Sequence, residues 1–181
     1  MFIIMFLSIL TSDSIKEPQY NLIKKDGKIE IREYSDYVIA KTSLNKGATK
    51  ENNSMFRTLA GYIFGGNSKN ESISMTAPVI TQNINDNYNM IFFMLDKQNL
   101  DQLPIPNNKN VILEKMDIGK TVSITFGMWA TDNRVAYYKS ILDKYINDNK
   151  IKVISTLMVA QYNSPWAIPP FRKNELLYRI K

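Results

Sequence analysis

The chemistry open to this chain of 181 residues is limited first by two residue types that it lacks. The sequence contains no histidine and no cysteine. Zinc sites of the usual kind are therefore excluded, because their ligands are mostly those two residues. Ser-His and Cys-His catalytic pairs are excluded for the same reason. An enzyme of this composition would need carboxylates, tyrosines or lysines for its proton transfers, and we predict neither a catalytic set nor a metal site.

Composition also restricts the partners. Hydrophobic residues make up 44% of the chain, enough for a real core, and 23 basic against 17 acidic residues leave a net charge of +6. The lysines are dispersed among acids and asparagines, which argues against a basic nucleic-acid-binding tail, and no nucleic-acid-binding signature is present. A mildly positive field favours anionic ligands, membranes or partners. We expect a monomer that does not bind nucleic acid.

The N-terminal residues 1–10 (MFIIMFLSIL) are almost wholly apolar. The run is too short to span a bilayer, which takes about 20 residues, but its length suits the core of a signal peptide, although no lysine or arginine precedes it. We therefore treat residues 1–16 as an apolar N-terminal segment, a signal peptide or an anchor, and favour export or anchoring over a cytoplasmic location. A terminal strand or a mis-chosen start codon is the alternative. Membrane association is expected only through residues 1–10.

The rest of the chain alternates between strand and helix patterns. A helix is predicted over residues 49–64, ended by Gly65 and Gly66, and a second runs from a Thr131 cap to about Asn149. Alternating or continuous apolar runs predict strands over residues 28–34, 37–44, 72–82, 88–95, 111–116, 121–126, 152–162 and 175–180. The order strand-strand-helix-strand-strand thus occurs twice, on either side of a linker at residues 103–110. This order predicts an α+β fold, one antiparallel barrel-like sheet built from two ββαββ-like halves with two flanking helices.

The two predicted helices differ in their apolar faces. Projected at 100° per residue, the apolar arc of the first covers about 180° and that of the second about 140°, where roughly 100° suffices to sit on a sheet. The first helix therefore has apolar surface to spare, which either is covered by another segment or forms the wall of a groove. Arg57 projects at one edge of that arc, where a guanidinium can pair with a ligand carboxylate. Spacing alone favours the alternative, in which residues 1–10 or 163–171 cover the helix and Arg57 is an ordinary solvated side chain.

Three stretches carry a resemblance to the SOUL haem-binding family. The first joins residues 62–67 (YIFGGN) to 73–79 (ISMTAPV), and the second joins 162–166 (YNSPW) to 171–175 (FRKNE). The third is the opening strand at residues 31–34 (IREY). Together with the element order, the resemblance covers a predicted domain at residues 17–181.

The resemblance implies a distorted eight-stranded antiparallel β-barrel and reversible, non-enzymatic binding of haem or a related tetrapyrrole in an apolar cleft beside the first helix. Such a protein would be a carrier or a buffer. Some family members have been proposed to use a histidine as iron ligand, and that mode is closed to this chain. The residues expected at the ligand are Met55, Phe56, Arg57, Leu59, Ala60, Ile63 and Phe64, with Arg172 and Lys173 as further partners for the propionates.

Other interpretations stay open. The family resembles GyrI-like effector-binding domains, so another amphipathic small molecule is one alternative ligand, with Glu175 as a buried acid that meets a cation. There are two further alternatives. One is a hydrolase that uses Glu175 or a tyrosine as base, and the other is a protein-interaction module with a vestigial pocket. The structural expectation is that Glu175 pairs with Arg172 or Lys173 and that Trp166 fills the core.

Overall fold

A computed structural model describes residues 15–45, 52–85, 87–163, 167–169 and 171–181. The predictions made for residues 1–14 and for Trp166 lie outside these ranges. Two α-helices, α1 (Asn52–Ile63) and α2 (Asp132–Asp148), accompany a short 3-10 helix at Leu100–Gln102. The strands are β1 (Tyr20–Asp26), β2 (Ile29–Asn45), β3 (Val79–Ile84), β4 (Asn87–Phe93), β5 (Ile112–Phe126), β6 (Met158–Gln161) and β7 (Asn174–Arg179). Within the described ranges, no helix is both long and apolar enough to cross a lipid bilayer.

Six of these strands close into an antiparallel barrel. Their order is β2-β4-β3-β6-β7-β5, and β5 pairs back onto β2 over residues 112–124 and 29–41. Strand β1 lies outside the barrel and pairs with the first part of β2. The predicted α+β fold with a barrel-like antiparallel sheet and two helices is confirmed.

The strand count differs from the expected eight, because the structure describes seven. Two predicted pairs of strands are each one continuous strand, β2 and β5. Neither strand is interrupted, because the pairing between β2 and β5 keeps the same register along both strands. Tyr34 lies opposite Gly119, and Asp36 lies opposite Asp117. Strand β1 was not predicted, since all seven of its residues are exposed and therefore show no apolar alternation. The element order is thus ββαββ followed by βαββ.

Three apolar layers stabilise this arrangement. Helix α1 packs on β2 and β4, and helix α2 packs on β5 and β7. Between them, a central cluster fills the barrel. It consists of Tyr34, Ile39, Ile80, Ile91, Phe93, Ile118, Met158, Ala160 and Leu177. Both helices are therefore held by burial against the outside of the barrel, and the barrel has a core of its own.

Local sequence explains where the helices begin and end. The Thr131 side chain accepts a hydrogen bond from the backbone N–H of Arg134 at 3.4 Å, so the predicted cap of α2 is confirmed. After α1, Gly65 takes a φ of 103°, a conformation that glycine adopts without steric cost. The N–H of Gly66 then bonds to the carbonyl of Gly61 at 2.8 Å, which satisfies one of the last carbonyls of the helix.

The layer beneath α1 gives a first prediction. Leu59 is 0% exposed between the helix and the sheet, so Leu59→Ala should lower the free energy of unfolding by about 2–5 kcal/mol. Phe64, 64% exposed just after the same helix, provides the control, because Phe64→Ala removes little buried area. Urea denaturation of both variants measures the difference. Equal losses would mean that α1 does not pack as described.

Candidate functional site

Most of the wide apolar arc of α1 faces the protein itself. Met55, Leu59 and Ile63 are each at most 1% exposed and belong to the cluster that packs on β2 and β4. Leu103, the first residue of the predicted linker, and Val111, which directly follows the linker, are buried in the same cluster. The interpretation that this arc has apolar surface to spare is therefore wrong for these three helix residues, because the chain covers them. The segment that covers them includes the linker, which sequence reasoning did not consider.

One edge of α1 is nevertheless open to solvent. Arg57 and Phe64 are exposed, and between them lie Ala60, which is 9% exposed, and Gly61. A Cβ atom added at Gly61 would meet nothing within 4 Å. Residues spaced by three and four lie on the same side of a helix, so these four residues form one strip, which we call the α1 edge. With a rise of 1.5 Å per residue, its two ends are about 10 Å apart.

The floor of the α1 edge thus consists of the exposed Gly61 and the small, largely buried Ala60, between a cation and an aromatic ring. Phe56 borders it and is only partly buried, with its ring 5.4 Å from that of Phe92 on β4. Sequence reasoning included Arg57, Ala60 and Phe64 in the site but missed Gly61. A signal was available, because glycine inside a helix costs about 1 kcal/mol relative to alanine and often marks a close approach.

The structure places Arg172 and Lys173 away from α1. Both lie just before β7, a strand that packs against α2. The Arg172 guanidinium lies 3.6 Å from the centre of the Trp129 ring. The Lys173 ammonium is 3.1 Å from a carboxylate oxygen of Glu17. These two cations therefore do not join Arg57 in one site.

A buried ion pair crosses the interior of the barrel instead. Arg32 on β2 and Glu175 on β7 are 3% and 1% exposed. The arginine donates two parallel hydrogen bonds to the carboxylate, Nη1 to Oε2 at 2.9 Å and Nη2 to Oε1 at 2.8 Å. The expected partner of Glu175, Arg172 or Lys173, was wrong. The actual partner is 143 residues away, because β2 and β7 flank β5 and their inward side chains meet across it.

The Glu175 carboxylate has further donors. The Tyr162 hydroxyl donates to Oε2 at 2.6 Å, and the Thr125 hydroxyl donates to Oε1 at 3.1 Å. Burial alone would raise the pKa of Glu175, but the hydrogen bonds and charge of Arg32 outweigh it and hold the pKa below the ordinary 4.5. Burial raises the pKa of Tyr162, and the nearby Glu175 charge raises it further. At neutral pH the site therefore holds an ionised carboxylate and neutral tyrosines.

The space left inside the barrel is small. Beside the ion pair lies a cavity of about 20 Å³, which is room for one water molecule. Its walls are Pro18, Tyr34, Pro78, Ile80, Phe93, Ile118, Ala160, Tyr162 and Leu177. A tetrapyrrole needs a site of several hundred cubic ångströms, so the barrel interior as it stands does not accommodate one.

Two open grooves lie elsewhere on the described surface. One, of about 570 Å³, is lined by residues 15–17, Gln19, Tyr37 and Leu95. Its walls carry charges that are already paired, since Lys16 bonds to Asp96 and Glu17 to Lys173. The other, of about 330 Å³, lies between β3, β6 and the start of α2 and is lined largely by amide and hydroxyl side chains. Neither groove is lined by a residue of α1.

Comparison with known families assigns the chain. The family model described as "SOUL heme-binding protein" matches residues 15–179, nearly the whole chain. The chain belongs to this family. Two of the stretches that carry the resemblance, IREY and FRKNE, supply Arg32 and Glu175. What links these distant SOUL motifs in the structure is therefore the buried ion pair.

Solved structures agree with the fold. An uncharacterized conserved protein from Listeria innocua matches with a TM-score of 0.64 at 10% identity, over 85% of this chain and 92% of its own. The EcmrR C-terminal domain matches with a TM-score of 0.63 at 9% identity, over 90% and 98%. A hydrolase from Listeria innocua matches with a TM-score of 0.59 at 10% identity, over 88% and 94%. At such identities the likeness concerns the fold alone. No curated protein sequence matches the chain.

The buried ion pair gives a second prediction. Glu175→Gln removes one of the two carboxylates that neutralise Arg32 and weakens its paired hydrogen bonds, so the free energy of unfolding should fall by about 1–3 kcal/mol at pH 7. The exposed pair between Lys144 and Asp148 supplies the control, and Asp148→Asn should cause no measurable loss. Chemical denaturation compares the two variants. A Glu175→Gln protein as stable as the wild type would show that the pair does not hold the barrel.

The lowered pKa of Glu175 gives a third prediction, for pH dependence. A carboxyl group whose pKa is depressed by folding stabilises the protein above its unfolded pKa, and this contribution is lost as the pH falls through the folded value. The stability gap between the wild type and Glu175→Gln should therefore narrow as the pH falls below about 4.5, the ordinary pKa of the group. Denaturation midpoints at a series of pH values measure the gap. A constant gap from pH 7 to pH 3 would contradict the depressed pKa.

Proposed function

We propose that this SOUL protein binds haem or a related tetrapyrrole reversibly on the α1 edge, without catalysis, as a carrier or buffer. The observation that carries this proposal is the exposed Gly61, next to the small Ala60, between Arg57 and Phe64. It lies on the helix that the family resemblance indicates, in a chain that belongs to a haem-binding family. The small cavity inside the barrel supports a ligand on the outer surface.

The shape of the α1 edge suits a flat ligand. Without side-chain atoms at Gly61, a planar ring can approach the helix backbone closely, and Phe64 can contact its face or its rim. Arg57 is exposed and stands at the opposite end, where its guanidinium can pair with a propionate. Because that contact is exposed to water, its contribution is smaller than that of a buried pair.

The energetics are compatible with reversible binding. A porphyrin offers a few hundred Å² of apolar surface, and burial at about 25 cal/mol per Å² stabilises the complex by several kcal/mol before entropy costs. A micromolar dissociation constant corresponds to a net gain of about 8 kcal/mol, so we expect micromolar or weaker affinity once the entropy costs are subtracted. Tight, effectively permanent binding is not expected.

Iron is not required by this proposal. The four residues of the α1 edge offer no side chain that commonly ligates haem iron, and the nearby sulfur of Met55 is buried beneath the helix. When bound, the macrocycle supplies the apolar plane and the propionates, and the protein supplies the floor, the aromatic ring and the cation. Haem and metal-free porphyrin should therefore bind with similar affinity.

A second candidate places an amphipathic cation inside the barrel, with Glu175 as its anionic partner. The existing contacts argue against it, because Arg32 already occupies that carboxylate and the adjoining cavity holds about 20 Å³. Competition by a lipophilic cationic dye distinguishes the two candidates. Displacement of porphyrin by the dye would favour the interior.

The fourth prediction tests the α1 edge. Gly61→Leu places a side chain over the floor without a clash at Cβ, and leucine is the better helix former by about 0.8–1 kcal/mol. The variant should therefore be at least as stable as the wild type but bind porphyrin about tenfold more weakly or worse. Titration with haem and with metal-free protoporphyrin, followed by absorption and tryptophan fluorescence, measures both dissociation constants.

A matched control is Ala136→Leu, which places the same side chain on an exposed position of α2. It should leave both dissociation constants unchanged. If Gly61→Leu binds porphyrin with wild-type affinity, the ligand does not bind at the α1 edge. Binding of the iron form alone, with a six-coordinate spectrum, would require an iron ligand that this proposal does not contain. Absence of binding to either porphyrin would leave the interaction module as the better interpretation.

A further inference from the structure

The guanidinium of Arg32 is saturated with partners. Its Nε donates to Oε2 of Glu30 at 2.7 Å, and its Nη2 is 2.6 Å from the same oxygen. Its Nη1 donates both to the Tyr34 hydroxyl at 3.1 Å and to Glu175 at 2.9 Å. The ring of Tyr20 lies 4.3 Å from the guanidinium carbon. Two carboxylates, a phenol oxygen and an aromatic face therefore enclose one planar cation.

The groups around Arg32 can recognise a guanidinium group whether it belongs to this chain or to a separate small molecule. Carboxylates in bidentate geometry and an aromatic face are the groups that bind guanidinium ions wherever they occur. Glu30 is also paired with Lys25 at 2.9 Å, but the Lys25 side chain is 61% exposed and approaches from outside. If the Arg32 side chain were removed, Glu175 would face the vacated space without its neutralising charge.

We propose that the barrel contains a built binding site for a guanidinium-type cation and that Arg32 is its resident ligand. By occupying the site, Arg32 sets the specificity of the interior, since it excludes organic cations that the two carboxylates would otherwise attract. The ligand class of the vacated site is a small planar cation with several N–H donors, such as an alkylguanidinium. This inference does not depend on where a tetrapyrrole binds.

One residue that covers the site, Tyr20, is itself partly exposed to solvent. Tyr20 belongs to β1, which lies outside the barrel and is exposed along its whole length. Strand β1 covers the Arg32 guanidinium through the Tyr20 ring, and Tyr20 itself is 42% exposed. We expect a small cation to reach the emptied site past the edge of β1, without opening of the six-stranded barrel.

Chemical rescue of Arg32→Ala tests the inference. Ethylguanidinium at about 10 mM should raise the melting temperature of this variant by about 3–6 °C, the shift that a millimolar dissociation constant produces in a protein of this size. The wild type should shift by less than about 1 °C, because its site is filled. Tetramethylammonium at the same concentration, a cation without N–H donors, should not rescue the variant.

Two further variants separate a specific site from a general salt effect. Arg179→Ala removes a partly exposed guanidinium paired with Asp117. Ethylguanidinium should not raise the melting temperature of this variant. In Arg32→Ala combined with Glu175→Gln, the rescue should disappear. If Arg32→Ala does not fold alone, its refolding yield with and without ethylguanidinium replaces the melting temperature. No gain in either quantity, or an equal gain with tetramethylammonium, would overturn the inference.

Discussion

Two opposite charges buried inside a small barrel are the constraint on which the rest of this structure depends. Taking Arg32 and Glu175 out of water is costly, and it is offset only if every donor and acceptor finds a partner in good geometry. The two parallel bonds between them, with Tyr162 and Thr125 on the carboxylate, meet this condition. Because the pair joins β2 to β7 across β5, it fixes the three strands that complete the closed sheet.

The same ion pair explains why the interior is not a ligand pocket. The charged pair lies beside the central apolar cluster, to which Tyr34 belongs and against which Tyr162 packs, and about 20 Å³ remains. The small interior volume therefore supports the proposal that a flat ligand lies on an outer surface. Of the described surfaces, the α1 edge combines a small-residue floor with an aromatic ring and a cation. In the function proposed here, the interior of the fold serves stability and the ligand binds on one helix.

The sequence predicted the fold class and both helices because their signals are local. The Thr131 cap, the glycines after Ile63 and the periodic apolar residues each act within a few positions. The continuity of β2 and β5 could not be predicted, since Ser35 and Asp36 resemble a break and only pairing with the distant β5 keeps the strand extended. Strand β1 was missed because its exposed residues carry no periodic pattern.

The candidate site was predicted only in part, again because spacing along the chain does not reveal contacts between distant segments. Helical spacing identified an apolar arc, but it could not show that Leu103 and Val111 help to bury the half formed by Met55, Leu59 and Ile63. The pairing of Arg32 with Glu175 was also beyond sequence reasoning, because both residues were recognised only as members of separate motifs. Spacing along a chain defines faces of helices and strands, whereas contacts across a barrel depend on strand order.

Paramagnetic NMR of the labelled full-length protein tests most directly where a tetrapyrrole binds. Ferric haem broadens the amide signals of nearby residues, and metal-free porphyrin serves as the diamagnetic reference. We expect the amides of Arg57, Ala60, Gly61 and Phe64 to lose intensity while those of Glu175 and Leu177 keep it. If the amide signals of Glu175 and Leu177 lose intensity while those of α1 keep it, the ligand lies inside the barrel, which would contradict this account.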